Sequence, residues 1–129
     1  MLPFSISLRS GLPIYEQVIY AVTRAIVSGE LRAGEPFPSV RTLSQELKIN
    51  PNTAHKIVAA LTDRGLLVVR PGVGTVAAGG RPATASARRV VLDREAEHLV
   101  VEARSAGLSL QEVVSAIRAH WKRTSSLAG

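Results

Sequence analysis

The sequence predicts a mainly α fold with one small β-hairpin, followed by a separate two-helix piece. Three observations carry that prediction. Apolar residues recur at helical spacing in five segments. Two β-rich runs, Leu66-Leu67-Val68-Val69-Arg70 and Thr75-Val76-Ala77-Ala78, flank a Pro-Gly turn. Residues 79 to 88 are small and polar without periodicity, which reads as a linker between the hairpin and the last two helical patterns. The chain has 129 residues, enough for one small domain plus an appendage. It is too short for a barrel enzyme or a two-domain dinucleotide-binding enzyme.

Residues 1 to 12, with the alternation Phe4-Ser5-Ile6-Ser7-Leu8, read as an N-terminal arm or short extended segment. From Pro13 to about residue 28, Ile14, Val18, Val22 and Ile26 form one helical stripe with Ala21 and Ala25 beside it. Gly29 stands where a C-terminal glycine cap belongs. Residues 31 to 38 are a loop punctuated by Gly34, Pro36 and Pro38. Ser39 can N-cap a short helix from Val40 to about Leu47. After a tight connection at Lys48-Ile49, Asn50 can cap a third helix, with Pro51 at its first position. That helix carries Ala54, Ile57, Val58 and Leu61, and Gly65 follows it. Pro71-Gly72-Val73-Gly74 is the hairpin turn. A fourth helix is expected from about 90 to 106, with stripe Leu92, Ala96, Leu99 and Ala103 and Gly107 as its cap. Ser109-Leu110-Gln111-Glu112 matches a capping box for a fifth helix to about residue 123, after which the Ser/Gly/Ala tail is expected to fray. These boundaries define a domain at 1–78, a linker at 79–89 and a helical region at 90–129.

Composition narrows the function. Sixteen Lys and Arg against ten Asp and Glu give +6, which favours a nucleic-acid or anionic partner without specifying a fold. The chain is 46% hydrophobic, unlike a disordered basic tail. Aromatics at 4% argue against a base-stacking single-strand binder. The absence of cysteine removes disulfides and thiolate chemistry and is compatible with a reducing cytosol. The first residues lack a signal-peptide pattern and no apolar run could span a bilayer, so a cytoplasmic location without a membrane partner is expected.

Helix, short helix, tight turn, third helix and β-hairpin come in the order of a winged helix-turn-helix. A third helix projecting after a short turn fits the major groove of B-form DNA, with its first residues nearest the base edges. Here these are Asn52, Thr53, His55 and Lys56. Asn can pair with adenine, Thr can meet a thymine methyl or a phosphate, and Lys can reach guanine or phosphate. The amides at this helix start are a natural phosphate site. The hairpin tip carries Arg70 and Gly72, a cation on a turn slim enough to approach DNA closely. Each signal alone is bland: a helix start, a surface cation, a turn. Together they fall on segments that would face one duplex.

As an ordered set, residues 13 to 78 resemble the DNA-binding domain of the GntR family of bacterial transcription regulators. The resemblance rests on Pro13-Ile14-Tyr15-Glu16-Gln17-Val18 and Ile26-Val27-Ser28-Gly29-Glu30-Leu31. It continues through Gly34-Glu35-Pro36-Phe37-Pro38-Ser39-Val40-Arg41-Thr42-Leu43 and Asn50-Pro51-Asn52-Thr53-Ala54. It closes with Leu61-Thr62-Asp63-Arg64-Gly65-Leu66-Leu67 and Arg70-Pro71-Gly72-Val73-Gly74-Thr75. It implies that Arg41, after the Pro38-Ser39 pair, binds the DNA backbone and a base. It further implies that Asn52, Thr53, His55 and Lys56 read the groove and that Gly72 enters the minor groove. Many members carry Arg where this chain has Pro51, so their guanine contact does not carry over. The Asn-Pro-Asn-Thr form and the short two-helix tail are similar to the YtrA subfamily, where the tail dimerises. That resemblance implies a repressor, one that controls its own operon, often an operon encoding an ABC transporter.

The last forty residues support a dimer independently. Two helices cannot enclose a cavity of about 300 Å³ and still bury their own stripes. Leu99, Ala103, Leu110, Val113, Val114, Ile117 and Trp121 are the candidate dimerisation residues, and a two-fold homodimer is the simplest way to cover them. Folding back onto the first domain is the competing arrangement. A dimer would bind double-stranded DNA at a palindromic site with half-sites about one helical turn apart. Arg81, Arg88 and Arg89 either add sequence-independent attraction or simply solvate the linker. A small-molecule effector could sit between the dimer helices or at the domain junction, and no residue pattern identifies one. A DNA-coating protein without sequence preference is a rival reading. An enzyme is disfavoured: no phosphate loop or nucleophile motif is present, and no cofactor is expected. The Asp93, Glu97 and His98 set makes a poor metal site, because adjacent helical residues point about 100° apart.

Overall fold

The computed structural model describes residues 1–80 and 83–128, with side chains as far as Thr124. It is mostly helical with a two-stranded hairpin. The elements are α1 (Ile14–Val27), α2 (Val40–Leu47), α3 (Pro51–Asp63), β1 (Leu67–Arg70), β2 (Gly74–Ala77), α4 (Ala85–Val90), α5 (Ala96–Ser105) and α6 (Leu110–Ala128). A π-helical stretch, Val91–Glu95, joins α4 to α5. Two compact units emerge, built on Met1–Arg81 and on Pro82–Arg123.

In the first unit the caps set the helix boundaries. Ser39 accepts the Thr42 amide at 3.1 Å and Asn50 accepts the Asn52 amide at 2.8 Å. Each satisfies a donor that the first turn leaves orphaned. α3 ends on Gly65, at φ +74°, where Gly65 N–H bonds Thr62 O and Leu66 N–H bonds Leu61 O. This glycine-dependent cap reverses the chain into β1. The core is Val18, Val22 and Ala25 of α1, Leu43 and Leu47 of α2, and Ala54, Ile57 and Leu61 of α3, closed by Leu31, Leu67 and Val76. Burying each large aliphatic side chain stabilises by about 1.5–3 kcal/mol. The stripe of α1 turns slightly from expectation. Ile14 is exposed and Ile26 half-buried, while Ile19 is buried.

Three features depart from the sequence reading. Residues 34 to 37, expected as plain loop, run beside β2. Gly34 N–H bonds Ala77 O, Ala77 N–H bonds Glu35 O, and Phe37 N–H bonds Thr75 O, at 2.8 to 2.9 Å. Pro36, which has no amide to give, faces Val76 between these bonds. Strand β1 pairs with the other edge of β2 in antiparallel register from Leu67↔Ala77 to Arg70↔Gly74. Second, the expected linker at 79–89 is partly structured. Ala78 and Gly80 donate to Leu66 O and Gly65 O. Helix α4 begins at Ala85, capped by the Thr84 hydroxyl on the Ala87 amide at 3.1 Å. An alanine-rich stretch behind a threonine cap has good helix propensity despite its low complexity. Third, α6 continues through the tail expected to fray, to Ala128.

The second unit keeps its expected turn. Gly107, at φ +77°, and Leu108 donate to Arg104 O and Ala103 O. Ser109 accepts the Glu112 amide and donates to Glu112 Oε1, both at 3.2 Å, a variant of the capping box in which the hydroxyl serves both bonds. The π-helical stretch interrupts the single helix expected from 90, and its wider turn changes the phase of Leu92 relative to Ala96, Leu99 and Ala103.

The arm is pinned by Phe4, which is buried and stacks on Phe37 with ring centroids 5.9 Å apart and planes at 6°. Phe4→Ala is expected to destabilise the first unit by about 3 kcal/mol, read from the midpoint of urea unfolding.

Candidate nucleic-acid interface

Arg41 is the second residue of α2 and is exposed. Its position follows from two local bonds. Ser39 caps the helix start, and the Ser44 hydroxyl donates to Arg41 O at 2.9 Å. The guanidinium makes no ion pair among the described residues. Ser39 itself is exposed, with its hydroxyl 3.1 Å from Thr42 Oγ1. It is occupied as a cap first, and its outer lone pair remains available.

On α3 the burial pattern separates two faces. Ala54, Ile57 and Leu61 point into the core. Asn52, His55 and Lys56 are exposed, and Thr53 is half-buried beside them. The helical repeat explains this directly, since 54, 57 and 61 share a face while 52, 55 and 56 lie on another. The four residues singled out in the sequence therefore form one continuous polar surface at the N-terminal half of α3. The phosphate site expected from the amides at this helix start is reduced. Pro51 has no amide, Asn52 gives its amide to Asn50 Oδ1, and Ala54 gives its amide to Asn50 O at 3.1 Å. Thr53 N–H is what remains of the first turn for an anion.

The connection between α2 and α3 adds a cation that the sequence reading used only as a turn. Lys48 caps α2 in the left-handed region, at φ +55°, and is exposed. No residue pattern marks it, because the left-handed φ that a lysine rarely adopts is a property of the backbone.

The hairpin tip is a tight turn closed by Val73 N–H on Arg70 O at 3.1 Å. Pro71 leads and Gly72 follows at φ +78°, the arrangement of a type II turn. A Cβ at Gly72 would meet nothing within 4 Å. The glycine is required here by backbone conformation, and the tip is left slim. Arg70 ends β1 opposite Gly74 and is exposed. Because residues 34–37 bond to β2, the chain that leads into α2 is tied to the hairpin that forms the tip.

In the second unit, Leu99, Leu110, Ile117 and Trp121 are exposed, together with Leu92 at 71%. Val113 and Val114 are half-buried and Ala103 is buried. The expected stripe is thus largely uncovered within one chain. Among the described residues no group of His, Asp and Glu could hold a metal, and no helix is long and apolar enough to cross a membrane.

Known proteins align with this geometry. Residues 14–76 match the family described as bacterial regulatory proteins, gntR family. The HTH-type transcriptional repressor YtrA of Bacillus subtilis is 28% identical over 106 residues, covering 81% of this chain and 82% of that protein. The crystal structure of a transcriptional antiterminator from Listeria monocytogenes shares the fold, with a TM-score of 0.70 at 24% identity over 98% of this chain and 92% of the other. YtrA from Sulfolobus acidocaldarius, a GntR-family transcription factor, aligns with a TM-score of 0.51 at 27% identity, over 92% and 96% of the two chains. With its winged helix-turn-helix and its short helical second unit, the chain belongs to the GntR family of transcription regulators, in the YtrA-like group.

Proposed function

We propose that the chain is a sequence-specific repressor that binds a palindromic operator as a homodimer. The observation that carries this reading is the polar surface of Arg41, Asn52, Thr53, His55 and Lys56. It shares one compact unit with a slim tip bearing Arg70 and Gly72. In that reading α3 enters the major groove, where Asn52 and Lys56 reach base edges and Thr53 and His55 meet bases or phosphates. Ser39, Arg41 and Lys48 hold the backbone at the start and end of α2. Gly72 lets the tip backbone approach the minor groove while Arg70 supplies charge.

The homodimer is supported by the uncovered apolar residues of the second unit, Leu92, Leu99, Leu110 and Ile117 above all. Water contact with so many large aliphatics is costly, and a two-fold copy covers them with their own kind. Two modules on one site gain affinity through effective concentration, because a single module makes few phosphate contacts. The protein acts on the chromosome, in the cytoplasm, by occupying a promoter. The naming of several similar proteins as repressors supports that direction of control.

Competition binding separates this from a DNA-coating role. A selected operator is expected to bind at least about 10³-fold more tightly than random duplex. A ratio near one overturns the specific reading. Arg41→Ala is expected to weaken operator binding by about 1–3 kcal/mol, measured by fluorescence anisotropy, with an unchanged circular dichroism spectrum. For the dimer, sedimentation at micromolar concentration is expected to give twice the 13.7 kDa chain mass. Leu99→Glu and Trp121→Ala are each expected to raise the dimer dissociation constant, Leu99→Glu more strongly because it would bury a charge. A wild-type monomer under those conditions defeats the assembly.

A further inference from the structure

The N-terminal arm and α1 enclose an open groove of about 450 Å³ that the DNA-binding surface does not use. Its frame is fixed by one side chain. Gln17 accepts the Arg9 amide on Oε1 at 2.7 Å and donates through Nε2 to Arg9 O and Leu12 O, both at 3.0 Å. At the other end Ser5 Oγ donates to Glu30 Oε1 at 3.0 Å, and Phe4 is anchored on Phe37. Arg9 is therefore tied to the first turn of α1, while Ser5 lies beyond its last turn. The arm runs antiparallel to the helix.

This direction sorts the groove chemically. The middle is apolar, with Ile6 half-buried, Ala21 buried and Tyr20 71% exposed. A tyrosine this exposed beside an apolar floor offers a ring face to a flat or aliphatic body. At the Gln17 end, Arg9 shares the groove with Glu16, and the two charges offset each other. At the opposite end, Arg24 lines the groove two helical turns along from Glu16, with the Ser7 hydroxyl on the arm side. Arg24 makes no ion pair among the described residues. The Glu30 carboxylate is close in the chain but does not line the groove. The result is an elongated slot with one net positive end, an apolar middle and a charge-neutral far end.

We propose that this groove binds a small amphipathic organic anion. Its carboxylate lies on Arg24 and its apolar body lies along Ile6, Ala21 and Tyr20. The volume suits a small molecule, since such sites span about 300–1,000 Å³. A guanidinium is the side chain best matched to a carboxylate, because two parallel N–H donors meet two oxygens. The frame is already hydrogen-bonded, so binding orders little. Helix α1 also packs against α3, the helix that carries the groove-reading residues of the proposed function.

The test uses the full-length ¹⁵N-labelled chain without DNA, so its result is independent of the operator reading. The probes are 3-phenylpropionate, its neutral amide and inorganic phosphate, followed by amide chemical shifts up to about 10 mM, where even weak sites fill. The proposal expects saturable shifts at Ile6, Ser7, Tyr20, Ala21 and Arg24 with 3-phenylpropionate. It expects binding weaker by about tenfold or more for the amide, for phosphate and for Arg24→Gln, since each loses either the ion pair or the apolar body. Arg9→Gln, at the compensated end, is expected to change the affinity less. Equal binding of acid and amide would show that Arg24 selects nothing and overturns the proposal. Equal binding of phosphate would show a bare charge and overturns it as well. The same follows if shifts fall on α3 and the hairpin tip instead, or if 3-phenylpropionate shifts nothing.

Discussion

The candidate surface depends on a backbone constraint more than on any side chain. Residues 34–37 hydrogen-bond to β2 through Gly34, Ala77 and Phe37, while β1 bonds to its other edge. The two-stranded hairpin thereby carries the segment before α2 along its free edge. That segment leads straight into the Ser39 cap and Arg41, and the hairpin ends in the Arg70–Gly74 tip. Core packing of Leu43 and Leu47 holds α2, and these bonds add a direct tie between the start of α2 and the hairpin. With them, Arg41 and the Arg70–Gly74 tip keep a fixed spacing, which the proposed contacts to a rigid duplex require.

The same constraint gives the arm its place. Phe37 belongs to the edge segment and is buried, and its ring receives Phe4 in a near-parallel stack. Arm, edge segment and hairpin are thus linked through one aromatic pair, which contributes about 0.5–1.5 kcal/mol beyond the area it buries. The arm then lies along α1 with Gln17 as its clasp. An extended segment with alternating apolar residues needs a partner strand or a core to order it. Here it takes a core and a helix, and it forms no strand.

Features written in side-chain chemistry were legible in the sequence. The Ser39 and Asn50 caps, the glycine stop at Gly65, the Pro-Gly tip and the split faces of α3 each follow from a residue type at a position. The polar set on α3 was legible for the same reason, since a period of 3.6 separates 54, 57 and 61 from 52, 55 and 56. What escaped was written in backbone. The pairing of 34–37 with β2 uses amides that every residue carries, so no pattern announces it. The reduced anion site at α3 likewise depends on Asn50 taking two amides. Residues 85–90 escaped for another reason. Small residues without periodicity resemble linker, although alanine behind a threonine cap favours helix once a neighbouring helix can extend it. The π-helical stretch has no marker in Val91–Glu95 that separates it from ordinary helix.

Charge offers a last distinction between attraction and recognition. Residues 1–78 hold eight cations and five anions, and residues 79–129 hold eight and five again. The excess is therefore +3 on each side of residue 78, by subtraction in both cases. A uniform excess draws the whole chain toward a polyanion and depends on salt, but it cannot choose a face or a sequence. Orientation must come from placement. In the first unit Arg41, Lys48, Lys56 and Arg70 are exposed on α2, its turn, α3 and the tip. In the second unit, Asp93, Glu95, Glu97 and Glu102 are interspersed with Arg88, Arg89, Arg94 and Arg104 from α4 to α5, and mixed signs on helical segments favour solvation and local pairing. Equal net charge thus serves two different ends, a directed surface in one unit and a mixed one around an apolar stripe in the other.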